Sequence, residues 1–270
     1  MTVAAVVVTH NSAHFIGETL ASITTQTQLP DQIVVIDDQS SDNTIQVVRQ
    51  HLVTSGIPYV IHPVTTEATD LHTRIAQNFM QGVKEAQDKG AEIIVLGDHD
   101  DIWHEHRIAQ HVQIFNENPY AAMIAADGVI KNEENSHAEH TAMPATLRSS
   151  FPVPVNFNDL RTTQQFSYVL KHSVATGGAS AIKPAKFHHF EVPKGWLHDR
   201  WWSLAATAHR GLVIDNTPVI DYRITAAQQV GLDTAHQQEG NANWLAGHFK
   251  RLPRTIKRTY DLVPLYLASR

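Results

Sequence analysis

Short runs of apolar, β-branched residues alternate with longer stretches of mixed polarity in the first half of the chain. The runs are almost continuously apolar, which is typical of parallel strands buried on both faces. The stretches between them carry apolar residues at helical spacing, and this alternation indicates a parallel sheet with helices on its faces. The predicted strands are Val3–Thr9, Gln32–Asp37, Tyr59–His62, Glu92–Gly97 and Ala121–Ala126, and the predicted helices are Ala13–Gln26, Asp42–Thr54, Asp70–Lys89 and Glu105–Asn116.

Polar residues mark the start of two predicted helices, and the alternation of strands and helices becomes less regular in the later half of the chain. Ser41 and Asp70 are the predicted N-caps of two helices, because short polar side chains accept hydrogen bonds from a helix's first N–H groups. The rhythm weakens between residues 131 and 155, and residues 157–222 mix helices with short strands. We predict one domain over residues 1–232, whose halves 1–130 and 131–232 share a sheet, followed by a basic helical tail over residues 233–270.

Composition excludes several classes of protein. The 270 residues include no cysteine, which rules out disulfides and thiolate metal ligands, and the mild net charge of −6 gives no indication of a nucleic-acid partner. The apolar N-terminal run is too short to span a membrane. The 18 histidines are scattered, without the spacing of a zinc site. A cytoplasmic protein is the default expectation.

The tail allows two interpretations. The segment 244–270 contains six basic residues and a single acidic residue, Asp261. Such a helix can lie on the anionic inner face of a membrane, as a peripheral contact, or it can dock onto the acidic surface of its own protein. The basic residues are Lys250, Arg251, Arg254, Lys257, Arg258 and Arg270.

Carboxylates follow several of the predicted strands. In open α/β sheets, ligands bind beyond the carboxyl ends of the strands, so we expect these acids to converge there. The pair Asp98-x-Asp100 suits Mn²⁺ or Mg²⁺, which need one or two protein carboxylates and take their other ligands from phosphates and water. Such a cation would serve a diphosphate leaving group. Asp38 is placed to accept a hydrogen bond from the imide N–H of a uracil-like base.

Three segments, residues 6–11, 34–44 and 97–103, together resemble glycosyltransferase family 2. The Asp-x-Asp-Asp-x-Trp form of the third segment is similar to the rhamnosyltransferase-like branch, which builds bacterial cell-surface polysaccharides. The resemblance covers roughly residues 3 to 223. It implies the GT-A fold, an α/β fold with a Rossmann-like, mainly parallel central sheet. It also implies a metal-dependent, inverting transfer from a nucleoside diphosphate sugar to an acceptor hydroxyl of a glycan or a lipid-linked acceptor.

The resemblance also implies roles for donor-side residues. Thr9 and Asp38 would contact the base, with Asn11 beside them, Asp98 would bind the ribose and Asp100 the metal. Residue 10, commonly Tyr in the family, is His here. Two further elements complete the donor side. Gly177 and Gly178 resemble the segment under the donor sugar, although a simple tight turn explains them equally well, and Arg223 is the residue expected at the diphosphate. The His that usually follows it in the family is missing.

The acceptor side centres on Asp199, which the resemblance nominates as the general base that an inverting transfer needs. The alternative is that Asp199 only caps a helix beginning near Arg200, and His198 is the rival base. Asp127 either lines the acceptor pocket or belongs to a turn with Gly128. Either Trp201 or Trp202 would stack on a sugar, although aromatic residues of a helix more often lie in the core.

Two other functions stay open for this sequence. A protein that binds a nucleotide sugar without transferring it would tolerate His10 and the altered segment after Arg223. A nucleotidyltransferase is less favoured, because the loop after the first strand has neither the Gly nor the Lys that usually hold a triphosphate. A dinucleotide-binding dehydrogenase lacks its Gly-rich motif at the same place. The residues leave the sugar open and do not distinguish a UDP from a dTDP donor.

Overall fold

A computed structural model describes residues 1–64, 68, 70–132, 145–224 and 260–270. Strands and helices alternate through the first half, as the pattern predicts. These elements are β1 (Val3–Thr9), α1 (Ile16–Thr24), β2 (Gln32–Asp37), α2 (Thr44–Ser55), β3 (Tyr59–Pro63), α3 (Leu71–Asp88) and β4 (Ile93–Asp98).

The second half contributes shorter and more irregular elements to the same body. They are β5 (Ile102–Trp103), α4 (Arg107–Glu117), β6 (Met123–Asn132), α5 (Leu147–Ser150), α6 (Thr162–Lys171), β7 (Ser180–Ile182), α7 (His198–Ala208) and β8 (Leu212–Ile224). Residues 260–268 form a last helix, α8. Among the described residues, no helix is long and apolar enough to cross a membrane.

All eight described strands lie in one sheet, in the order β3-β2-β1-β4-β7-β6-β8-β5. Strands β1 to β4 pair in parallel, β7 runs antiparallel between β4 and β6, and β8 pairs in parallel with β6. The register aligns Thr9 with Asp37 and Val8 with Asp98. The carboxyl ends of β1, β2 and β4 therefore meet at one edge, as the sequence predicts.

The core lies on both faces of the sheet. In β1, Ala4 and Val6 pack on one face with Phe79 of α3, while Val7 packs on the other with Leu20 of α1. All five of these side chains are buried. Because both faces are covered, the strand needs apolar residues at consecutive positions, which explains the continuous runs in the sequence.

One of the two predicted N-caps is confirmed and the other is wrong. The carboxylate of Asp70 accepts the N–H of Thr73 at 3.0 Å, as an N-cap should. Ser41 caps nothing, since α2 begins at Thr44 with Asn43 before it. Asp42 replaces it by accepting the N–H of Thr44 at 3.0 Å.

Strand β6 is longer than the predicted Ala121–Ala126. It runs from Met123 to Asn132 because β8 pairs with it along most of its length, across two register shifts near Asp127. The pattern did not predict β5, a two-residue strand that pairs with β8. Asp127 therefore lies within a strand. Residues 131 and 132, where the rhythm of the sequence weakens, still belong to β6, and residues 133–144 lie outside the described residues.

Candidate active site

The loops after β1 and β2 are tied together at the carboxyl edge of the sheet. The carbonyl oxygen of Thr9 accepts the N–H of Asp38 at 2.8 Å, and the buried Thr9 hydroxyl bonds to the Ser12 hydroxyl. Asn11 has a φ of 45°, in the left-handed region that Asn tolerates, and its Oδ1 accepts the N–H of Ser41 at 2.8 Å. The buried Thr9 and the exposed Asn11 thus fix the two loops to each other.

Asp38 has one carboxylate oxygen occupied and one free of protein partners. Its Oδ2 accepts hydrogen bonds from Arg74 Nε and Asn78 Nδ2, both at 2.7 Å. Its Oδ1 is buried and has no hydrogen-bond partner in the described part of the chain. Buried polar atoms are nearly always paired, so this oxygen points to a missing donor.

Two of these contacts were not foreseen from the sequence. Arg74 and Asn78 lie one turn apart on α3, so both side chains reach the same face of the helix. Their spacing was visible in the sequence, but the face they share was not. His10 occupies the position that is commonly Tyr in the family. Its Nδ1 lies 2.5 Å from the Asp38 carbonyl oxygen, so this ring fixes the loop that carries Asp38.

Four carboxylates converge beyond the end of β4. Burial first, and then the charges of Asp100 and Asp199, raise the pKa of Asp98 to about 7. Burial, followed by the charges of Asp100 and Asp98, raises the pKa of Asp101 well above its usual range. The structure thus brings Asp199 to acids that lie about 100 residues earlier in the chain. Carboxylates crowded in this way stay ionised only when a cation or hydrogen-bond donors lie close to them.

The glycine segment separates these acids. Gly177–Ala179 forms a 3₁₀ turn, and the backbone N–H groups of Gly177 and Gly178 act to lower the pKa of Asp199 and of Asp98, respectively, against the larger effect of burial. A Cβ on Gly178 would lie 2.3 Å from Asp101 Oδ2, and one on Gly177 would lie 2.6 Å from His198 Nε2. Both positions therefore exclude any side chain, which a simple surface turn would not require.

Asp199 lies in the first turn of α7, one residue inside the helix. The helix begins at His198 with Leu197 in the N-cap position, so the alternative that Asp199 caps a helix starting near Arg200 is wrong. Its Oδ1 accepts the N–H of Arg200 at 2.6 Å. Burial raises the pKa of Asp199 to about 6, although this hydrogen bond and the charge of Arg200 oppose the rise.

The other aromatic and histidine candidates of α7 lie in the core. The ring of His198 stacks on Phe79 with centroids 3.9 Å apart, and burial lowers the pKa of His198 to about 3. Trp201 and Trp202 are 4% and 0% exposed. Their indole N–H groups donate to the carbonyl oxygens of His189 and Phe190. A neutral, buried His198 is a poor base, and the two indoles offer no face to a sugar.

Asp127 and Arg223 are held by their neighbours. The Oδ1 of Asp127 accepts the N–H groups of Gly128 at 2.8 Å and Arg148 at 2.9 Å. Asp127 and Gly128 both lie within β6, at its register shifts, so the turn expected at a strand end is not formed. Arg223 donates its N–H to Asp101 Oδ1 at 3.3 Å, and its guanidinium pairs with Glu18. Arg223 therefore lies between the carboxylate cluster and α1.

The residues present fit a divalent cation that is completed by a ligand. In the described part of the chain, no three His, Cys, Asp or Glu side chains are arranged to hold a metal by themselves. Asp100 is buried beside Asp101, whose Oδ2 is buried without a partner. Mn²⁺ and Mg²⁺ need only one or two protein carboxylates when phosphates supply the rest, so this arrangement suits a metal that arrives with a diphosphate.

This mixed sheet, with its acids and glycine turn at one edge, defines a glycosyltransferase of the GT-A fold. The sequence profile described as Glycosyl transferase family 2 matches residues 4–190, and the chain belongs to this family. Among proteins of curated function, none matches the sequence significantly.

Solved structures share the fold at low sequence identity. TarS 1–349 of S. aureus in complex with UDP-GlcNAc is 15% identical, with a TM-score of 0.55 over 100% of this chain and 79% of that one. Glucosyl-3-phosphoglycerate synthase of Mycobacterium tuberculosis with Mn²⁺, UDP and glucosyl-3-phosphoglycerate is 14% identical, with a TM-score of 0.53 over 87% and 75%. The mannosyltransferase PcManGT of Pyrobaculum calidifontis with GDP-Man and Mn²⁺ is 18% identical, with a TM-score of 0.51 over 93% and 64%. The chain spans 60% of another TarS 1–349 structure and 44% of the structure described as S. aureus TarS.

Proposed function

We propose that this chain transfers a sugar from a UDP- or dTDP-linked donor to an acceptor hydroxyl, with inversion at the anomeric carbon. The observation that carries the proposal is the glycine turn, because Gly178 lies directly against Asp98 and Gly177 lies against His198, the residue before Asp199. An acid proposed to bind the donor and an acid proposed to activate the acceptor are thereby held on either side of one backbone turn. That is the arrangement that a direct displacement between two substrates needs.

The free oxygen of Asp38 supports a uracil or thymine base. An ionised carboxylate oxygen accepts a hydrogen bond from the imide N–H that both bases carry, whereas cytosine presents an acceptor at that ring position. In this proposal Thr9 and Asn11 line the base, Asp98 binds the ribose, and Gly177 and Gly178 lie under the sugar. TarS structures contain UDP or UDP-GlcNAc, which agrees with a uracil base, whereas the motif of residues 98–103 favours rhamnose as the sugar.

The diphosphate would lie between Asp100 and Arg223. Asp100 would hold a Mn²⁺ or Mg²⁺ ion, which when bound neutralises the charge that develops on the departing diphosphate. Arg223 would turn its guanidinium from the exposed Glu18 toward the same phosphates, while its own side chain stays largely buried.

Asp199 would act as the general base. Its carboxylate would take the proton of the acceptor hydroxyl while the hydroxyl oxygen attacks the anomeric carbon from the face opposite the diphosphate. A new bond to the acceptor oxygen forms as the bond to the diphosphate oxygen breaks. A pKa of about 6 leaves Asp199 mostly ionised at neutral pH, yet more basic than an ordinary aspartate.

Substitution of Asp199 tests the mechanism. Asp199→Asn should abolish transfer while leaving calorimetric binding of UDP or dTDP, measured with Mn²⁺, close to that of the wild type. The matched control is Asp159→Asn at an exposed position, which should change neither. Equal loss of binding and transfer in Asp199→Asn would make Asp199 a structural residue. Absence of binding to UDP, dTDP and GDP by the wild type would contradict the proposed function as a whole.

We further propose that the acceptor is a glycan or lipid-linked intermediate of cell-surface glycan synthesis, met at the inner face of the membrane. The basic residues of segment 250–258 support this location by their charge alone, and they lie outside the described residues. Sedimentation of the full chain with anionic vesicles, but not with neutral ones, is the expected result. Equal behaviour with both kinds of vesicle would favour docking of the tail on the protein itself.

A further inference from the structure

Behind the carboxylate cluster lies a buried cation. Arg107 is the first residue of α4, its side chain is 1% exposed, and its guanidinium lies 3.9 Å from the centroid of the Trp103 ring. The negative charges of Asp101 and Asp98 act on it from the side of the site. Burying a guanidinium is costly unless charges and hydrogen bonds compensate for the lost water. The burial of Arg107 therefore depends on the groups that its guanidinium contacts.

The contacts of Arg107 join two strands at the point where the site begins. Its Nη2 donates to the carbonyl oxygen of Leu96 at 2.7 Å and to that of Ser180 at 3.3 Å. Leu96 lies two residues before Asp98 on β4, and Ser180 directly follows the glycine turn on β7. One guanidinium thus fixes the strand that carries Asp98 to the turn that lies against it.

The same turn reaches the proposed base. Gly177 lies against His198, the residue before Asp199, with its Cβ position 2.6 Å from His198 Nε2, and Ser180 closes the turn by donating its hydroxyl to the Thr176 carbonyl oxygen at 2.6 Å. The described β4–β7 ladder has two residue pairs, Ile94 with Ile182 and Val95 with Ala181. Beyond that short ladder, the guanidinium continues the connection between the strands toward the site.

We propose that Arg107 is a positioning residue for sugar transfer, because it bridges β4 and the glycine turn and so sets the separation of Asp98 from Asp199. The inference rests on the proposed function, since it assigns those two acids to the donor and the acceptor. Arg107 itself touches neither substrate. The sequence places it four residues after Trp103, where charge alone gave no reason to single it out.

Arg107→Lys tests the proposal, because a lysine keeps the charge but is shorter, so its ammonium does not take the position of Nη2, the one nitrogen that contacts both carbonyl oxygens. A hydrogen bond from a charged donor contributes enough that its loss at a positioned group should lower kcat about 10- to 100-fold. The matched control is Lys183→Met. Lys183 lies over the Phe115 ring and contacts a carbonyl oxygen, but follows the far end of β7. The Lys183→Met variant should be less stable than the wild type but should keep its kcat.

A second readout is independent of turnover. Hydrogen exchange of the peptide that covers residues 176–182 should be faster in Arg107→Lys and unchanged in Lys183→Met. In calorimetry with UDP or dTDP, Arg107→Lys and Asp98→Asn should show coupled, non-additive losses of affinity. Unchanged exchange in Arg107→Lys would overturn the positioning role even if kcat fell. A wild type without nucleotide binding would instead overturn the proposed function, while the exchange result would still decide whether Arg107 orders the turn.

Discussion

At the scale of single residues, Asp199 combines a proposed chemical role with a cost in stability. Burial raises its pKa from 3.8 to about 6. The folded state therefore binds this proton more tightly than the unfolded state, so the contribution of Asp199 is most favourable below pH 4 and is lost as pH rises through 6. Above pH 6 the ionised carboxylate destabilises the fold.

Asp199→Asn should accordingly stabilise the protein at neutral pH while it abolishes transfer. Because the side chain is partly exposed, we expect a gain of about 1–2 kcal/mol, less than the full shift would give. Thermal unfolding at pH 7.5 and at pH 4 measures it, and the gain should shrink at the lower pH. A variant that is less stable than the wild type at pH 7.5 would contradict the burial argument.

Gly178 shows how closely the acids approach the backbone. A Cβ at this position would lie 2.3 Å from Asp101 Oδ2 and 2.9 Å from Asp98 Oδ2. Gly178→Ala should therefore displace both carboxylates and lower kcat about 100-fold, the scale of a misplacement near 1 Å. Steady-state kinetics provides the measurement.

Gly17→Ala is the control for that substitution. The closest atom to its Cβ would be the Nε2 of His51, at 3.0 Å, on an exposed side chain that can move, and Val47 Cγ1 would be at an ordinary contact distance of 3.5 Å. Alanine also has the higher helix propensity, so activity should persist and stability should hold. Wild-type kcat in Gly178→Ala would mean that the acids are not held against the turn.

At the scale of elements, Arg200 joins α7 to the end of α6. Its guanidinium donates to the carbonyl oxygens of Val169, His172 and Leu170, the last of these at 2.8 Å. The last carbonyl groups of a helix have no partner within the helix, so Arg200 supplies the donors that they lack. The first turn of α7, with Asp199 in it, is thereby fixed to a neighbouring helix.

Arg200→Met should remove this connection and lower the free energy of unfolding by about 1–3 kcal/mol, because several carbonyl groups lose a charged donor at once. Chemical denaturation measures the loss, and Arg49→Met, at an exposed position of α2, is the control with little expected effect. Equal stability of the two variants would show that water replaces the guanidinium at no cost.

The elements also show which parts of the fold the sequence could predict. Strands β1, β2 and β4 and the helices beside them follow from apolar runs and helical spacing, because these strands are buried on both faces, whereas the edge strand β3 is only partly buried. Strands β5 and β7 have two and three residues. So short a segment has no readable period, and its place depends on pairing with residues far away in the chain.

The candidate site divides in the same way. Asp38, Asp98 and Asp100 were predictable because parallel topology brings strand ends together. Arg74 and Arg107 were not, because their roles depend on which face of a helix turns toward the sheet edge. The burial of Trp201 and Trp202 likewise depends on packing against residues 187–190, which no local pattern predicts.

At the scale of the whole molecule, the last described helix packs back onto the α6 and α7 side of the sheet. Leu265 of α8 is 0% exposed and belongs to the core on the α6 and α7 side of the sheet. Asp261, the single acid of the basic tail, accepts a hydrogen bond from Trp196 Nε1 at 3.1 Å. This part of the tail is therefore integrated into the fold, whatever the basic residues before it contact.

Leu265→Ala should consequently destabilise the whole domain. Removal of a fully buried leucine side chain costs about 2–5 kcal/mol, through lost burial and the cavity left behind. Leu267, two residues further on, is 64% exposed, so Leu267→Ala is a control of identical chemistry that should cost little. Thermal unfolding followed by tryptophan fluorescence suits the test, since Trp196 lies at the contact. Two separate transitions, with only the first shifted by Leu265→Ala, would mean that α8 docks as an independent element; a single shifted transition would make it part of the cooperative core.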